Sequence, residues 1–332
     1  MYKMNYESYP PPFRQENNHI QNIDTDETTN QVLDLDPIPL IDLQCLDLDQ
    51  LGEACRDWGI FRLVNHGIPD TLLSQLQDQA KKLFYLSFES KQALFTGPVS
   101  YFWGTPALSP SGSALLPLSS APQNINWVEG FNVRLGQLSP FQAEEPMLDS
   151  FRLLMEEYGM HLSITVSTIF KATAKNLNLD PQKSVSILSK SSGFIRAYRY
   201  PFCSKDNDTW GLNVHTDSSL FSVLYQDHIG GLEVFKDGKW LDVNPIPNSL
   251  IVNIGDMMQA ISDDEYISVR HRVKVKKQER FSICYFVFPD EDCVIQSSKY
   301  KPFTYGDFRA QVQHDIKSLG LKVGLERFKV DH

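Results

Sequence analysis

The sequence predicts an α+β protein whose second half is built mainly from strands. Three observations lead there. Apolar residues recur at helical spacing in LDQLGEACRDWG, in residues 70–86 and between about 141 and 190. Residues 194–290 instead carry closely spaced, alternating, strand-like runs. The chain has 332 residues, 42% of them hydrophobic, enough for one large domain or two closely packed ones, and no repeat or sustained heptad competes with that reading.

Residues 1–33 are rich in Asn, Asp, Gln, Glu and Thr with little to bury, so they are expected to form a flexible tail. An N-terminal helical and strand region spans 34–190. In it IPLIDL reads as a short strand, and Leu51, Ala54, Cys55 and Trp58 mark the helix that follows. IFRLVNHGIP then returns to strand character and ends in a turn. Leu73, Leu76, Ala80, Leu83 and Phe84 form the apolar stripe of a second helix, with Asp70 as its expected N-cap. The Pro-, Ser- and Gly-rich residues 97–126 read as a long loop, a candidate lid. Two or three helical pieces are expected between 141 and 190, then a strand core over 191–292 and a C-terminal helical segment over 293–332.

Charge and cysteine usage narrow the function classes. A formal charge of −10, with no basic block beyond RHRVKVKK, argues against nucleic acid and favours a small-molecule partner. Five scattered cysteines without a CxxC pair suggest neither a disulfide framework nor a thiolate zinc site, and fit a cytoplasmic location. No signal-like start and no apolar run of about 18 residues point to secretion or to a membrane.

The chemistry concentrates in WGLNVHTDSSL. Strand alternation turns His215 and Asp217 to one face and Thr216 to the other. A third ligand must come from elsewhere, and His271 in ISVRHRVKVKK, another alternating strand, can supply it. Two histidines and one carboxylate that leave coordination positions open are the set associated with non-haem Fe(II) oxygenases. With KKQE (276–279) as a hairpin loop, His271 would face Cys284, and Arg280 and Ser282 would share its surface. An inward arginine calls for an anion, and its fork suits a carboxylate, to which Ser282 can add a hydrogen bond. A lone HxD string is common by chance, and Arg280 paired with a buried acid is the bland alternative; the conjunction of all five residues is what carries weight. His66, His161 and His228 are expected to be structural.

At these residues the chain resembles the plant Fe(II)- and 2-oxoglutarate-dependent dioxygenases. The likeness runs over roughly residues 36–310. It includes IPLIDL, WGIFRLVNHGIP, the RYP of 199–201, HTDSSLFSVLYQD, GGLEVFKDGKWLDVNPIPNSLIVNIGDMMQAIS, YISVRHRVKV and ERFSICYFVFP. It implies that the strand core is a double-stranded β-helix, or jelly roll, flanked by N- and C-terminal helices, with His215, Asp217 and His271 holding Fe(II). It further implies that Arg280 and Ser282 grip the far carboxylate of 2-oxoglutarate with help from Tyr200, that O2 is the oxidant and that ascorbate serves as reductant. Where relatives usually carry Asn two residues before that tyrosine, this chain has Tyr198, so a polar contact near the cosubstrate is altered.

Within the family, HTDSSLFSVLYQD followed by GGL, and YFWGTP followed by NWVEGF, look most like gibberellin oxidases. No LPWKE-like stretch of the 20-oxidases occurs, which favours the 2-oxidases. A gibberellin-like acid needs apolar walls and a polar contact for its carboxylate. Tyr101, Trp103, Trp127, Phe131, Phe286 and Phe288 are the candidate walls and Arg196 or Tyr198 the candidate contact, each with ordinary core packing as the alternative. The same chemistry at another gibberellin position, on an auxin or on a phenolic acid remains open, as does a non-catalytic hormone-binding relative.

Overall fold

The computed structural model describes residues 5–14, 37–95, 97–104, 126–138, 145–180, 187–188, 193–203 and 209–330. Twelve strands, each given by its bounds, build the site: β1 Leu40–Asp42, β2 Ile60–Val64, β3 Val99–Trp103, β4 Glu129–Arg134, β5 Phe194–Tyr200, β6 Trp210–His215, β7 Phe221–Gln226, β8 Leu232–Lys236, β9 Lys239–Asp242, β10 Leu250–Ile254, β11 His271–Lys274 and β12 Arg280–Val287. The helices are α1 Leu48–Glu53, α2 Asp70–Phe84, α3 Phe88–Leu94, α4 Pro146–Asn176, α5 Asp256–Ile261 and α6 Tyr305–Leu319.

The strands form a major sheet in the order β1-β2-β10-β7-β12-β5-β4-β3 and a minor one in the order β6-β11-β8-β9. Their inner faces meet, as a jelly roll requires. Ile60, Tyr198, Leu224, Ile251 and Cys284 of the major sheet share one apolar cluster with Leu212, Leu232, Val234 and Val273 of the minor. Alternate residues of the same major strands, among them Phe61, Phe131, Ala197, Val223, Val252 and Ile283, face outward into a larger core packed by α2 and α4. On the outer face of the minor sheet the Arg272 guanidinium lies 4.1 Å from the ring of Trp210 and 3.8 Å from that of Trp240, and bonds Glu233 at 2.5 Å. That stack ties together all four strands of the sheet that carries both candidate histidine ligands.

Several expectations change. The KKQE stretch is not a hairpin loop: β11 pairs with β6 and β8, whereas β12 pairs with β5 and β7. The chain crosses between sheets there, so His271 and Arg280 look at each other from opposite walls of the barrel. The helix begun at Asp70 is capped by Pro69, with Asp70 as its first residue, where its charge still suits the N-terminal dipole. Of the helical pieces expected between 141 and 190, one is the 31-residue helix α4, and residues 181–186 and 189–192 lie outside the described residues. Of the proposed lid, residues 99–103 are strand β3, paired with β4, and 105–125 lie outside the described residues.

Part of the expected flexible tail is docked. Tyr9 is 1% exposed, with its ring 5.9 Å from Trp103 and 6.4 Å from Trp127. The backbone oxygen of Ser8 accepts from Lys91 Nζ at 2.9 Å, and Arg14 forks onto Glu89 at 2.7 and 2.8 Å. These contacts offset the ordering entropy that composition alone left uncompensated. Residues 15–36 lie outside the described residues.

Candidate active site

His215, Asp217 and His271 converge at one end of the barrel, and the ligand-capable atoms of all three lie within 4.8 Å of one another. Asp217 Oδ1 sits 3.9 Å from His215 Nε2 and 3.7 Å from His271 Nε2. A one-residue bulge aims the first histidine: three residues of β11, His271 to Val273, stand opposite four of β6, Leu212 to His215. Without it, alternation from Leu212 would turn Val214 inward and His215 out; with it, Val214 is 48% exposed. The strand ends at His215, so Asp217 reaches the site from the following turn and not by strand alternation.

Each ligand is oriented by a second contact. His215 Nδ1 is 2.7 Å from the carbonyl of Asn213, within the bulge, and His271 Nδ1 is 3.2 Å from that of Val269. A carbonyl accepts only, so both Nδ1 atoms carry a proton and both Nε2 atoms face Asp217. The other Asp217 oxygen accepts a short bond from Ser222 Oγ, which in turn accepts from Asn253 Nδ2 at 3.2 Å. Burial and the neighbouring His271 push His215 down to about 4. Burial works the other way on Asp217, yet His271, His215 and the Ser222 hydroxyl hold it below the usual carboxylate range. Near neutral pH the two are thus a neutral imidazole and a carboxylate, the forms a metal binds. Two nitrogens and one oxygen grouped on one side fit ferrous iron, the group this donor set implies.

From the opposite wall Arg280 enters the same interior at 1% exposure. Its Nη1 donates to Ser282 Oγ at 3.1 Å and its Nη2 to Gln226 Oε1 at 3.0 Å, while Nε has no hydrogen-bond partner. The Tyr200 ring lies 4.7 Å beneath the guanidinium. No carboxylate bonds Arg280 among the described residues, so the bland expectation of an internal ion pair does not hold. A buried guanidinium with an orphaned N–H among neutral partners fits an anionic carboxylate.

Sheet parity sorts the remaining candidates. On β5 and β12 the inward residues are Phe194, Arg196, Tyr198, Tyr200, Arg280, Ser282, Cys284 and Phe286, paired across the strands. Arg196 and Tyr198 therefore line the interior. The Arg196 guanidinium lies 5.8, 4.8 and 5.6 Å from the rings of Phe102, Phe194 and Phe286, and its Nε donates to Asn132 Oδ1 at 3.3 Å. Tyr101, Trp103 and Phe131 are a correction: they face outward. Phe131 packs on Phe84 and Phe151, Tyr101 donates to Glu129 Oε2 at 2.7 Å, and Trp103 joins the Tyr9 cluster. Trp127 belongs to that cluster too and donates to the carbonyl of Pro201 at 3.0 Å. Phe288, past the end of β12, stacks on Phe194 and on Tyr305 of α6.

The inward residues that the sequence reading passed over include Phe102, Asn132, Phe194, Ser222, Leu224 and Gln226. Phe102 was within reach, because it alternates with both neighbours that were chosen. His66 stays structural: its Nδ1 accepts from the Ile68 N–H at 3.2 Å. Residues 204–208, ahead of β6, lie outside the described residues.

Comparison with known proteins agrees with this geometry. Residues 191–289 match the 2OG-Fe(II) oxygenase superfamily, and residues 38–148 match the family described as non-haem dioxygenase in morphine synthesis N-terminal. The chain is 34% identical over 313 residues to gibberellin 2-beta-dioxygenase 6 of Oryza sativa subsp. japonica, covering 88% of this chain and 84% of that protein. It is 36% identical over 269 residues to Protein DMR6-LIKE OXYGENASE 1 of Arabidopsis thaliana, covering 78% and 75%. A crystal structure of JOX2 in complex with 2OG, Fe and JA superposes with a TM-score of 0.75 at 27% identity, covering 89% of each chain. No helix among the described residues is long and apolar enough to cross a membrane.

Proposed function

Given that this chain belongs to the 2OG-Fe(II) oxygenase superfamily and is a 2-oxoglutarate-dependent dioxygenase, we propose that it hydroxylates a gibberellin-type acid at C2, inactivating the hormone. When bound, ferrous iron supplies the redox chemistry by which O2 converts 2-oxoglutarate to succinate and carbon dioxide and hydroxylates the substrate. The chain's own part is positional. His215, Asp217 and His271 hold the metal from one side, and Arg280 with Ser282 binds the far carboxylate of 2-oxoglutarate. The Tyr200 ring lies against the Arg280 guanidinium and helps to hold it in place for that carboxylate.

The observation that carries the substrate reading is Arg196, an inward cation set among the rings of Phe102, Phe194 and Phe286. A rigid apolar acid matches that wall: rings for its skeleton, one guanidinium for its carboxylate. Similarity to the rice gibberellin 2-beta-dioxygenase favours a gibberellin. Five free thiols suit a reducing compartment, so we assign the reaction to the cytoplasm, with ascorbate as reductant.

The test is incubation of purified protein with Fe(II), 2-oxoglutarate, ascorbate and a panel of gibberellins, with products identified by mass spectrometry. A C2-hydroxylated gibberellin is expected. Its absence, with succinate released on some other acid, would support the second reading, the same chemistry on a different small acid. The 36% identity to an oxygenase of another name is what favours that alternative.

A further inference from the structure

The turn carrying Asp217 has lost the support of its sheet, because β6 stops at His215. Two donors from elsewhere take over. The Asp256 N–H, at the start of α5, donates to the Asp217 carbonyl at 2.8 Å. Lys322, from the segment that follows α6, donates through Nζ to the Thr216 carbonyl at 2.8 Å and reaches Thr216 Oγ1 at 3.2 Å. The same ammonium pairs with Asp256 Oδ2 at 2.6 Å, in an ion pair whose side chains are 16% and 4% exposed. Asp256 Oδ1 accepts from Ser268 Oγ at 2.8 Å, three residues before His271. One carboxylate thus joins the C-terminal lysine, the turn between two ligands and the approach to the third. Gly255 makes the contact possible: a Cβ there would lie 2.0 Å from the Ser219 carbonyl oxygen, so no larger residue lets α5 come so near.

We propose that Lys322 is a positioning residue for the metal centre. With Asp256 it fixes the peptide plane between His215 and Asp217, so that docking of the C-terminal segment sets metal affinity. This rests on the reading of His215, Asp217 and His271 as the metal-holding set. Contacts outside the ligand shell change metal affinity about 10- to 100-fold in well-studied sites, and Lys322 bonds the carbonyl of Thr216, the single residue between two of the ligands.

The experiment is titration of the full-length, metal-free protein with Mn(II), followed by electron paramagnetic resonance, well below the melting temperature. Lys322→Met keeps the alkyl stem near Phe308 and removes the donors. It should weaken Mn(II) binding by about tenfold, and Lys322→Arg should recover most of the loss. A merely structural lysine would lower the melting temperature and leave the affinity of the folded protein alone. Where Lys322→Met folds poorly, the double variant Lys322→Met/Asp256→Asn removes the unpaired buried charge and still lacks the clamp, so it should bind as weakly. Wild-type affinity in the folded lysine variants, with His215→Ala losing the ion, overturns the clamp and leaves the triad standing. Undiminished binding in His215→Ala overturns both.

Discussion

Arg199 and Arg280 sit on adjacent paired strands, β5 and β12, and each is 1% exposed, yet their surroundings are opposites. Arg199 faces outward into the helix-packed side. There it bonds Glu129 at 2.7 Å, Glu279 at 2.5 Å and Ser8 Oγ at 3.0 Å. Burial opposes its charge, but the two glutamates overcome that and raise its pKa. Lys91 shares Glu129, and burial pushes its ammonium down to about 8. Arg280 faces inward and meets only neutral acceptors, with one N–H unanswered. The contrast separates a charge that the fold compensates for itself from a charge that the fold presents to a ligand. Buried cations are stable only when paired, so an anionic ligand is the partner that Arg280 calls for, and we propose that it is the cosubstrate.

Arg199→Met leaves the buried Glu129 with Lys91 as its counter-charge and deprives the partly buried Glu279 of its arginine, and removing one partner of a buried ionic network costs about 3–5 kcal/mol. Urea unfolding should show that loss, and a change under about 1 kcal/mol would mean the network is not holding the fold. A smaller effect tests sheet parity. Phe102→Ala, which opens the interior wall, should raise the substrate KM about tenfold, roughly 1.4 kcal/mol. Tyr101→Phe, one residue away and facing out, should leave KM unaltered and lower stability by about 1 kcal/mol, the worth of its bond to Glu129. If steady-state kinetics reversed the two, the assignment of faces would be wrong. The smallest effect belongs to Ser282→Ala. Losing one neutral bond on the Arg280 fork should weaken 2-oxoglutarate by a few-fold, about 0.5–1.5 kcal/mol, and calorimetry showing no change would remove Ser282 from the carboxylate site.

The ligand set was legible because its signal is local and chemical. HTD places two ligands one residue apart, and Arg280 and Ser282 share a strand, so their common face follows from alternation whatever the strand pairs with. Pairing itself was not legible. Nothing in KKQE distinguishes a tight hairpin from a crossing between two sheets, since both need a short polar connection. The bulge at β6 was hidden as well: plain alternation and a bulged strand ending in a turn both bring His215 and Asp217 together, for different reasons. In YFWG three aromatics run in succession, so hydrophobicity carries no alternation and the outward pair was chosen over Phe102. The N-terminal segment misled in the other direction. Its composition is polar, but Ser8 and Tyr9 dock against α3, β3 and the residues leading into β4, all distant in sequence.

We propose that the inward guanidinium exists to hold the cosubstrate. Its most direct test is the calorimetric affinity for 2-oxoglutarate of the Mn(II)-loaded protein, wild type against Arg280→Met, an apolar replacement of similar reach. The account predicts affinity about 100-fold weaker in the variant, close to 2.7 kcal/mol, with Mn(II) binding intact. Cosubstrate affinity within about threefold of wild type would contradict it.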